Sequence, residues 1–266
     1  MRRLSPGLLV GMAIAASALA TAASAADMPV PAAPAYAPPV YRPVIYDWTG
    51  IYGGAHLGAG LLEEQVTTTT TTALLPAGTQ TRLSPFSVVA GAQAGFNYQI
   101  QQVVIGAEGT YTWSNISGTQ ITPSLIPTFS EMSISTPRWY ATATGRLGFA
   151  ANDFLYYAKG GAAWMGVNYT QTVSAGVGNV SSQTIVDTRS GFTVGGGIEY
   201  GITENLSGRV EYDYLNFGTK TYTFANLNTA PTPLVLPVSI RSSTSLITAG
   251  INYRFNWGGG GPYVTK

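Results

Sequence analysis

Apolar and polar residues alternate along most of the chain beyond residue 47. From Phe86 to Tyr98, one face of the alternation carries only apolar and aromatic side chains, and the other carries Ser, Gly, Gln and Asn with a single Val. A period of two kept over thirteen residues predicts a β-strand whose two faces meet different surroundings. The segment from Trp139 to Phe149 repeats the pattern, which indicates that this strand is one of several.

Eight segments carry this period, although Gly and Ala weaken it in two of them. They are Trp48–Gly60, Pro85–Gln99, Val103–Ile116, Pro137–Ala150, Phe154–Tyr169, Ser190–Thr203, Leu206–Phe217 and Ser243–Phe255. Tight turns alternate with long polar stretches between them. The turns are Gln99–Gln102, Ala151–Asp153 and Thr203–Asn205, and the long stretches are Leu61–Ser84, Ser117–Thr136, Gln171–Arg189 and Gly218–Ser242. Such long loops are uncommon inside compact domains. The alternation therefore predicts an all-β fold, an eight-stranded antiparallel transmembrane β-barrel with long extracellular loops and short periplasmic turns.

The charged residues of these strands share one face. That face also carries Thr, Gly, Ser and Asn, and its charged members are Glu108, Arg138, Arg146, Lys159, Glu199, Arg209, Glu211, Asp213 and Arg254. Since an eight-stranded barrel has an interior just wide enough for side chains to fill, we predict that these residues form a paired charge network in the lumen.

Aromatic residues collect near both ends of the opposite, uncharged face. We assign ten of them to two lipid-facing girdles: Trp48, Phe86, Phe96, Trp113, Trp139, Phe149, Trp164, Phe192, Tyr253 and Phe255. A soluble barrel of lipocalin type is the alternative, with its apolar face inside. Two rings of aromatic residues separated by small aliphatic ones favour the membrane barrel instead, because such rings mark the two membrane interfaces.

The ends of the chain differ in composition from the strands. Residues 1–25 predict a cleaved secretory signal peptide, with Arg2 and Arg3 before the apolar run Leu8–Ala20 and small residues at Ala23–Ala25. Residues 26–47 are rich in proline and predict a periplasmic linker. The remaining domains are the barrel at residues 48–255 and a periplasmic C-terminal tail at 256–266. We therefore expect an exported protein of the bacterial outer membrane.

The composition excludes several kinds of chemistry. The 266 residues include no Cys and one His, which rules out disulfides, thiolate metal sites and cysteine nucleophiles. A net charge of +1 gives no basic surface for nucleic acid. His56 lies on the polar face of the first strand, where a hydrogen-bonded lumen residue is the simpler interpretation than a catalytic base. Glu211 and Asp213 share that face, and nearby cations are simpler partners for them than acid–base chemistry. We predict no enzymatic activity, no cofactor and no metal.

Three stretches resemble a known family. They are Asp47–Gly54 (DWTGIYGG), Lys159–Trp164 (KGGAAW) and Gly250–Phe255 (GINYRF). Together they resemble the small outer-membrane β-barrel proteins of alphaproteobacteria, described as porin-like surface antigens or outer-membrane immunogenic proteins and related in fold to the OmpA transmembrane domain. The resemblance implies abundant surface antigens that support envelope integrity, with haemin binding in some members, and it brings no catalytic residues. A strand-final aromatic resembles the signal read by the barrel-assembly machinery. Here Asn256–Lys266 follow Phe255, whereas relatives commonly end at that aromatic residue.

Three functions remain open at this point. The first is a structural and surface-antigen role in the envelope with a largely plugged lumen. The second is a narrow porin-like channel for small hydrophilic solutes, and the third is loop-mediated binding of haemin or a host surface. Outer-membrane lipid and lipopolysaccharide are the expected partners, with the barrel-assembly machinery during biogenesis, and we expect a monomer.

Overall fold

The computed structural model describes residues 46–72, 75–124, 129–175, 179–229 and 232–255. The predicted signal peptide, most of the predicted linker and the tail 256–266 lie outside these residues, and the domain boundaries stay predictions. Within them the chain forms ten strands: β1 (Gly50–Thr68), β2 (Gln80–Leu83), β3 (Phe86–Ile100), β4 (Val103–Ser114), β5 (Gly118–Pro123), β6 (Phe129–Ala151), β7 (Phe154–Ala175), β8 (Asn179–Gly201), β9 (Leu206–Thr229) and β10 (Thr232–Phe255). The described residues contain no helix able to span a bilayer.

Eight of the strands close into an antiparallel barrel. Their order is β1, β3, β4, β6, β7, β8, β9 and β10, and β10 pairs with β1 to complete the ring. The two short strands are accessory, since β2 adds to β1 and β5 adds to β6. The prediction of an eight-stranded barrel is confirmed, and each predicted segment forms most or part of one barrel strand.

The predicted tight turns are present at one end of the barrel. Gln101 and Gln102 join β3 to β4, and Asn152 and Asp153 join β6 to β7. The first residue of each turn has a positive φ, 56° at Gln101 and 55° at Asn152. Two-residue antiparallel hairpins commonly need such a residue because their backbone must turn with the right-handed twist of the strands. We call this the turn end.

The long polar stretches at the opposite end were wrongly predicted to be loops. Strands β6 to β10 continue through most of them and reach 22–24 residues each. The physical reason is visible in β10, where Leu236, Val238 and Ile240 point inward and are buried while the residues between them point outward. These segments keep the period of two with β-branched residues, which favours strands even at low hydrophobicity. We call this region, beyond the aromatic ring at that end, the extension.

The extension consists of two sheets that face each other. Pairing between β8 and β9 stops at Phe192 and Asn216, although both strands continue for a dozen residues or so beyond that point. One sheet contains β9, β10, β1 and β2, and the other contains β5, β6, β7 and β8. Buried apolar side chains fill the space between them, among them Leu62, Val66, Val173 and Phe224.

The outward face of the barrel carries the aromatic residues in two rings. Phe86 and Phe96, Trp139 and Phe149, and Phe154 and Trp164 are each ten residues apart on one strand. Ten residues at about 3.4 Å, tilted about 40°, span roughly 26 Å. We therefore take these ten-residue stretches, and their neighbours on the other strands, as the membrane-spanning segments.

Nine of the ten residues assigned to the girdles project outward, and Trp48 does not. Eight of these nine side chains are exposed, with exposed fractions between 70% at Phe86 and 38% at Trp164. Trp139 is half-buried against Tyr111. Trp48 is only 3% exposed and packs inside the turn end with Tyr46, Val104 and Leu155. It precedes β1, which begins at Gly50, so the alternation of the strand does not decide its direction.

Candidate functional site in the barrel interior

Long polar side chains fill the barrel interior between the two aromatic rings, and glycines make room for them. Gly95 is the register partner of Tyr52, and Gly91 is the partner of His56. A methyl group at Gly95 would collide with the Tyr52 phenol, and one at Gly91 would approach the imidazole too closely. Because the interior of an eight-stranded barrel is narrow, a wide side chain fits only where the neighbouring strand has none. Gly95 and Gly91 therefore make room for the two large side chains opposite them in the lumen.

Glu108 on β4 lies at the centre of a buried charge network. Its Oε2 lies 2.5 Å from Nη1 of Arg209 and 3.7 Å from Nη1 of Arg146. Its Oε1 lies 3.3 Å from Nζ of Lys159. The Tyr52 hydroxyl donates to Oε2 at 2.8 Å and accepts from Arg146 at 2.8 Å. One carboxylate thus meets three cations, Arg146 on the neighbouring strand β6, Lys159 on β7, and Arg209 on β9 across the lumen.

Two further carboxylates stand beside the same lysine. Lys159 donates to Glu211 at 2.7 Å and forms an ion pair with Asp213 at 3.1 Å. The Tyr157 hydroxyl donates to Glu211 at 2.6 Å, and its ring lies 3.9 Å from the guanidinium carbon of Arg146. Charge-assisted hydrogen bonds of this kind are among the stronger polar contacts in proteins.

Glu199 on β8 extends the network toward β10. It accepts from Arg146 at 3.0 Å, from Ser207 at 2.5 Å and from Asn252 at 2.7 Å. Three cations therefore face four carboxylates, and each of the seven has an oppositely charged partner within 4 Å. The network joins strands on opposite sides of the barrel.

A chain of one-directional hydrogen bonds fixes the tautomer of His56. Because Glu199 accepts from the amide nitrogen of Asn252, the carbonyl oxygen of Asn252 accepts from Gln93 at 2.8 Å. Gln93 then presents Oε1 to Nδ1 of His56 at 2.6 Å, so Nδ1 carries the proton. Nε2 accepts from the Thr112 hydroxyl at 2.9 Å. Both ring nitrogens of His56 are therefore engaged by protein groups inside the lumen.

The structure brings seven of the nine predicted lumen charges together and leaves out two, Arg138 and Arg254. A β-bulge opposite Gly166 places both Arg138 and Trp139 on the outer face, so Arg138 is exposed. One extra residue in a strand breaks the alternation locally, and the sequence pattern therefore gave Arg138 the wrong face.

Arg254 lies at the turn end, away from the other cations. Its guanidinium donates to the carbonyl oxygens of Glu204 at 2.5 Å and Thr49 at 3.4 Å. It lies 4.0 Å from the Asp47 carboxylate and packs over the Tyr46 ring. Because Arg254 lies close to the end of β10, its side chain connects the residues that precede β1 with the turn between β8 and β9.

A second polar cluster lies in the extension and was missed by the sequence analysis. Glu64 accepts from Tyr169 at 3.1 Å and from Ser242 at 2.8 Å, and Arg189 donates to the Tyr169 oxygen at 3.1 Å. Burial raises the pKa of Glu64, while the nearby hydroxyls and Arg189 oppose the rise. Leu62, Glu64 and Val66 alternate inward along β1 in the structure. The sequence analysis missed them because it interpreted this segment as a loop.

Glu131 in the extension has no cation beside it. Gln171 donates to one carboxylate oxygen, and the other has no protein partner. Burial raises the pKa of Glu131 to about 7. Among the described residues, no three His, Cys, Asp or Glu side chains are arranged to hold a metal ion.

Comparison with known proteins agrees with a membrane barrel. The OmpA-like transmembrane domain family matches residues 47–259. The 25 kDa outer-membrane immunogenic protein of Brucella abortus is 28% identical over 214 residues, covering 79% of this chain and 80% of that protein. The 31 kDa outer-membrane immunogenic protein of Brucella melitensis is 32% identical over 136 residues, covering 50% of this chain and 55% of that protein.

A solved structure shares the fold. The outer membrane protein OprG from Pseudomonas aeruginosa aligns with a TM-score of 0.51 at 12% identity, covering 80% of this chain and all of that one. The family match covers well over half of the chain, and the relatives are outer-membrane proteins. The chain is therefore an outer-membrane β-barrel protein and belongs to the OmpA-like transmembrane domain family.

Proposed function

We propose that this outer-membrane protein is a structural and surface-exposed part of the envelope, with a lumen closed to solutes and no enzymatic activity. The observation that carries the proposal is the ion network across the lumen. Its side chains are at most 10% exposed, and they join β4 directly to β6, β7 and β9. An ion that is paired and hydrogen-bonded in a dry interior resists displacement, because moving it leaves an uncompensated charge.

Two apolar layers support the same proposal. Toward the turn end, Trp48, Leu155 and Val104 pack below the charges. Toward the extension, Tyr140 and Met165 are almost fully buried above them. A hydrated solute would have to displace all three layers in turn.

The test is conductance of the purified, refolded wild-type protein in planar bilayers, with a general porin added afterwards to the same bilayer as the positive control. We expect no resolved channel openings before the porin is added. Liposome swelling with small sugars extends the measurement to slow leakage, and we expect none above protein-free vesicles. Steady porin-sized openings from the wild-type monomer would replace this proposal with the narrow channel.

The third function, haemin binding, receives little support from the tyrosines of the extension. Tyr169 and Tyr222 are 3% and 6% exposed, and their hydroxyls donate to Glu64 and Asp187. A haem iron would have to break these bonds to reach either oxygen. Tyr263, the third tyrosine considered, lies outside the described residues.

The extension is the surface that we propose to face the outside of the cell. It is built from two sheets with a buried apolar core between them, so its outer surface is folded and supported by packing. The relatives are named immunogenic outer-membrane proteins, which fits an exposed extension. A monomer inserted by the barrel-assembly machinery remains part of this proposal.

A further inference from the structure

Two arginines flank one glutamine on the outer face of the extension. Gln65 on β1 is the register partner of Arg82 on β2 and of Arg241 on β10. Both arginines are exposed, and their neighbours Leu83 and Ser242 are buried inside. Neighbouring strands lie about 4.8 Å apart, so the two arginine Cα atoms are roughly 10 Å apart.

The positive charge of this patch is uncompensated. Within the described ranges, neither Arg82 nor Arg241 forms an ion pair. Glu63 is exposed on the same face two residues nearer the membrane on β1, yet it lies beyond ion-pair distance of both guanidinium groups. Lys220 is different, because its ammonium group lies 2.7 Å from Asp187. The two arginines therefore have free donors that the fold itself does not use.

The height of the patch matches a lipid headgroup layer. Leu61 is the register partner of Phe86 in the aromatic ring, and Gln65 lies four residues farther along β1. Four residues at about 3.4 Å with a tilt of about 40° place Gln65 on the order of 10 Å beyond the ring. The headgroup region adds roughly 5–8 Å to each side of the hydrocarbon core, and arginine side chains can bend toward that layer.

We propose that Arg82 and Arg241 clamp a phosphate group of lipopolysaccharide in the outer leaflet. A guanidinium group offers planar, paired N–H donors that match two oxygens of a phosphate, and two such groups can bracket a doubly charged headgroup. The clamp rests on the outward orientation of the extension proposed above. It does not depend on a closed lumen.

The experiment measures binding of purified lipopolysaccharide to the full-length protein refolded in neutral detergent. R82Q and R241Q are compared singly and together with wild type, and K220Q is the matched control because it removes a cation that Asp187 already holds. Each arginine substitution should weaken binding about fivefold, and the pair about thirtyfold. K220Q should change it less than twofold, and circular dichroism checks that every variant is folded.

Two further arms identify the ligand chemistry. The same lipopolysaccharide with its lipid phosphates removed should bind wild type and the double variant equally. Inorganic phosphate at millimolar concentration should not compete. Equal binding of intact lipopolysaccharide by wild type and R82Q/R241Q would overturn the clamp, and effective competition by free phosphate would reduce it to a general anion site. Failure of the outward orientation would appear separately, as an extension that is inaccessible on intact cells.

Discussion

Glu108 is the residue on which the lumen depends most, because three cations converge on it. Removing one partner of a buried ion pair leaves a charge that neither water nor protein compensates, which typically costs 3–5 kcal/mol, whereas removing both partners is often much milder. Arg209 is its nearest partner at 2.5 Å.

We expect R209M alone to lower the free energy of unfolding by about 3–5 kcal/mol. The double variant E108Q/R209M should lose clearly less, because it restores the net charge of the cluster. Denaturant unfolding of the refolded protein in lipid vesicles measures both. A double variant that is less stable than R209M would mean that Glu108 has adequate partners without Arg209.

Ala92 tests the outer face at the level of one residue. It is exposed and lies between Phe86 and Phe96 on β3, near the middle of the membrane-spanning segment. A92R should lower the free energy of unfolding by about 2–4 kcal/mol, since a charge at the bilayer midplane loses its hydration. A92L in the same vesicles is the control and should be nearly neutral. Tolerance of the arginine would place this face away from lipid.

Glu131 gives the extension a pH dependence with a definite sign. Its pKa of about 7 in the folded protein exceeds the ordinary value of 4.5, so the folded state holds the proton more tightly than the unfolded state. Stability from this group is therefore complete below the ordinary pKa and is lost as the pH rises through about 7.

Between about pH 5 and about pH 8, wild type should lose up to about 3 kcal/mol that E131Q does not lose. Thermal unfolding of the two proteins at both pH values measures the difference. Glu63 is an exposed carboxylate in the same region, and the control variant E63Q should behave as wild type does. An identical pH dependence in E131Q and wild type would show that Glu131 is solvated.

At the level of the strands, β8 and β9 are the weak junction of the extension. Side chains bridge their separated halves, through Lys220 and Asp187 at 2.7 Å and through Gln183 to the backbone of Ala225 at 2.8 Å. A strand edge without a backbone partner leaves every second amide of that edge outside the ladder.

Hydrogen exchange should therefore divide β8 into two halves. We expect fast exchange at alternate amides of residues 180–190 and protection throughout 193–200, where β9 is paired. The second half of the same strand is the internal control. Uniform protection along β8 would indicate that the two edges are paired in the membrane.

Strand positions were predictable, but strand ends were not. The alternation located all eight barrel strands, because the lipid and the lumen impose it on every membrane-spanning segment. Beyond the aromatic ring the chemical difference between the two faces of each strand is weaker. Segments rich in Thr, Ser and Val were therefore interpreted as loops. There the pairing of β9 with β10 and of β6 with β7 determines the structure, and this pairing depends on residues far apart in sequence.

For the whole molecule, the topology places the extension on one side of the membrane and the turns on the other. With the turns in the periplasm, an epitope tag at the exposed Thr70 should be labelled on intact cells. A tag after Lys266 should be labelled only after the outer membrane is opened. Surface labelling of the C-terminal tag on intact cells would reverse the orientation and remove the basis for the lipopolysaccharide clamp.

The sequence by itself determined the barrel, its strand number and the two chemically different faces, because a period of two is a local property of the strand. It could not determine which inward charges meet, since contacts across the lumen depend on register and closure. Glu108 reaches Arg209 from 101 residues away. The tertiary structure also decided the exceptions. A bulge turned Arg138 outward, and Trp48, which precedes the first strand, turned inward to pack with Leu155.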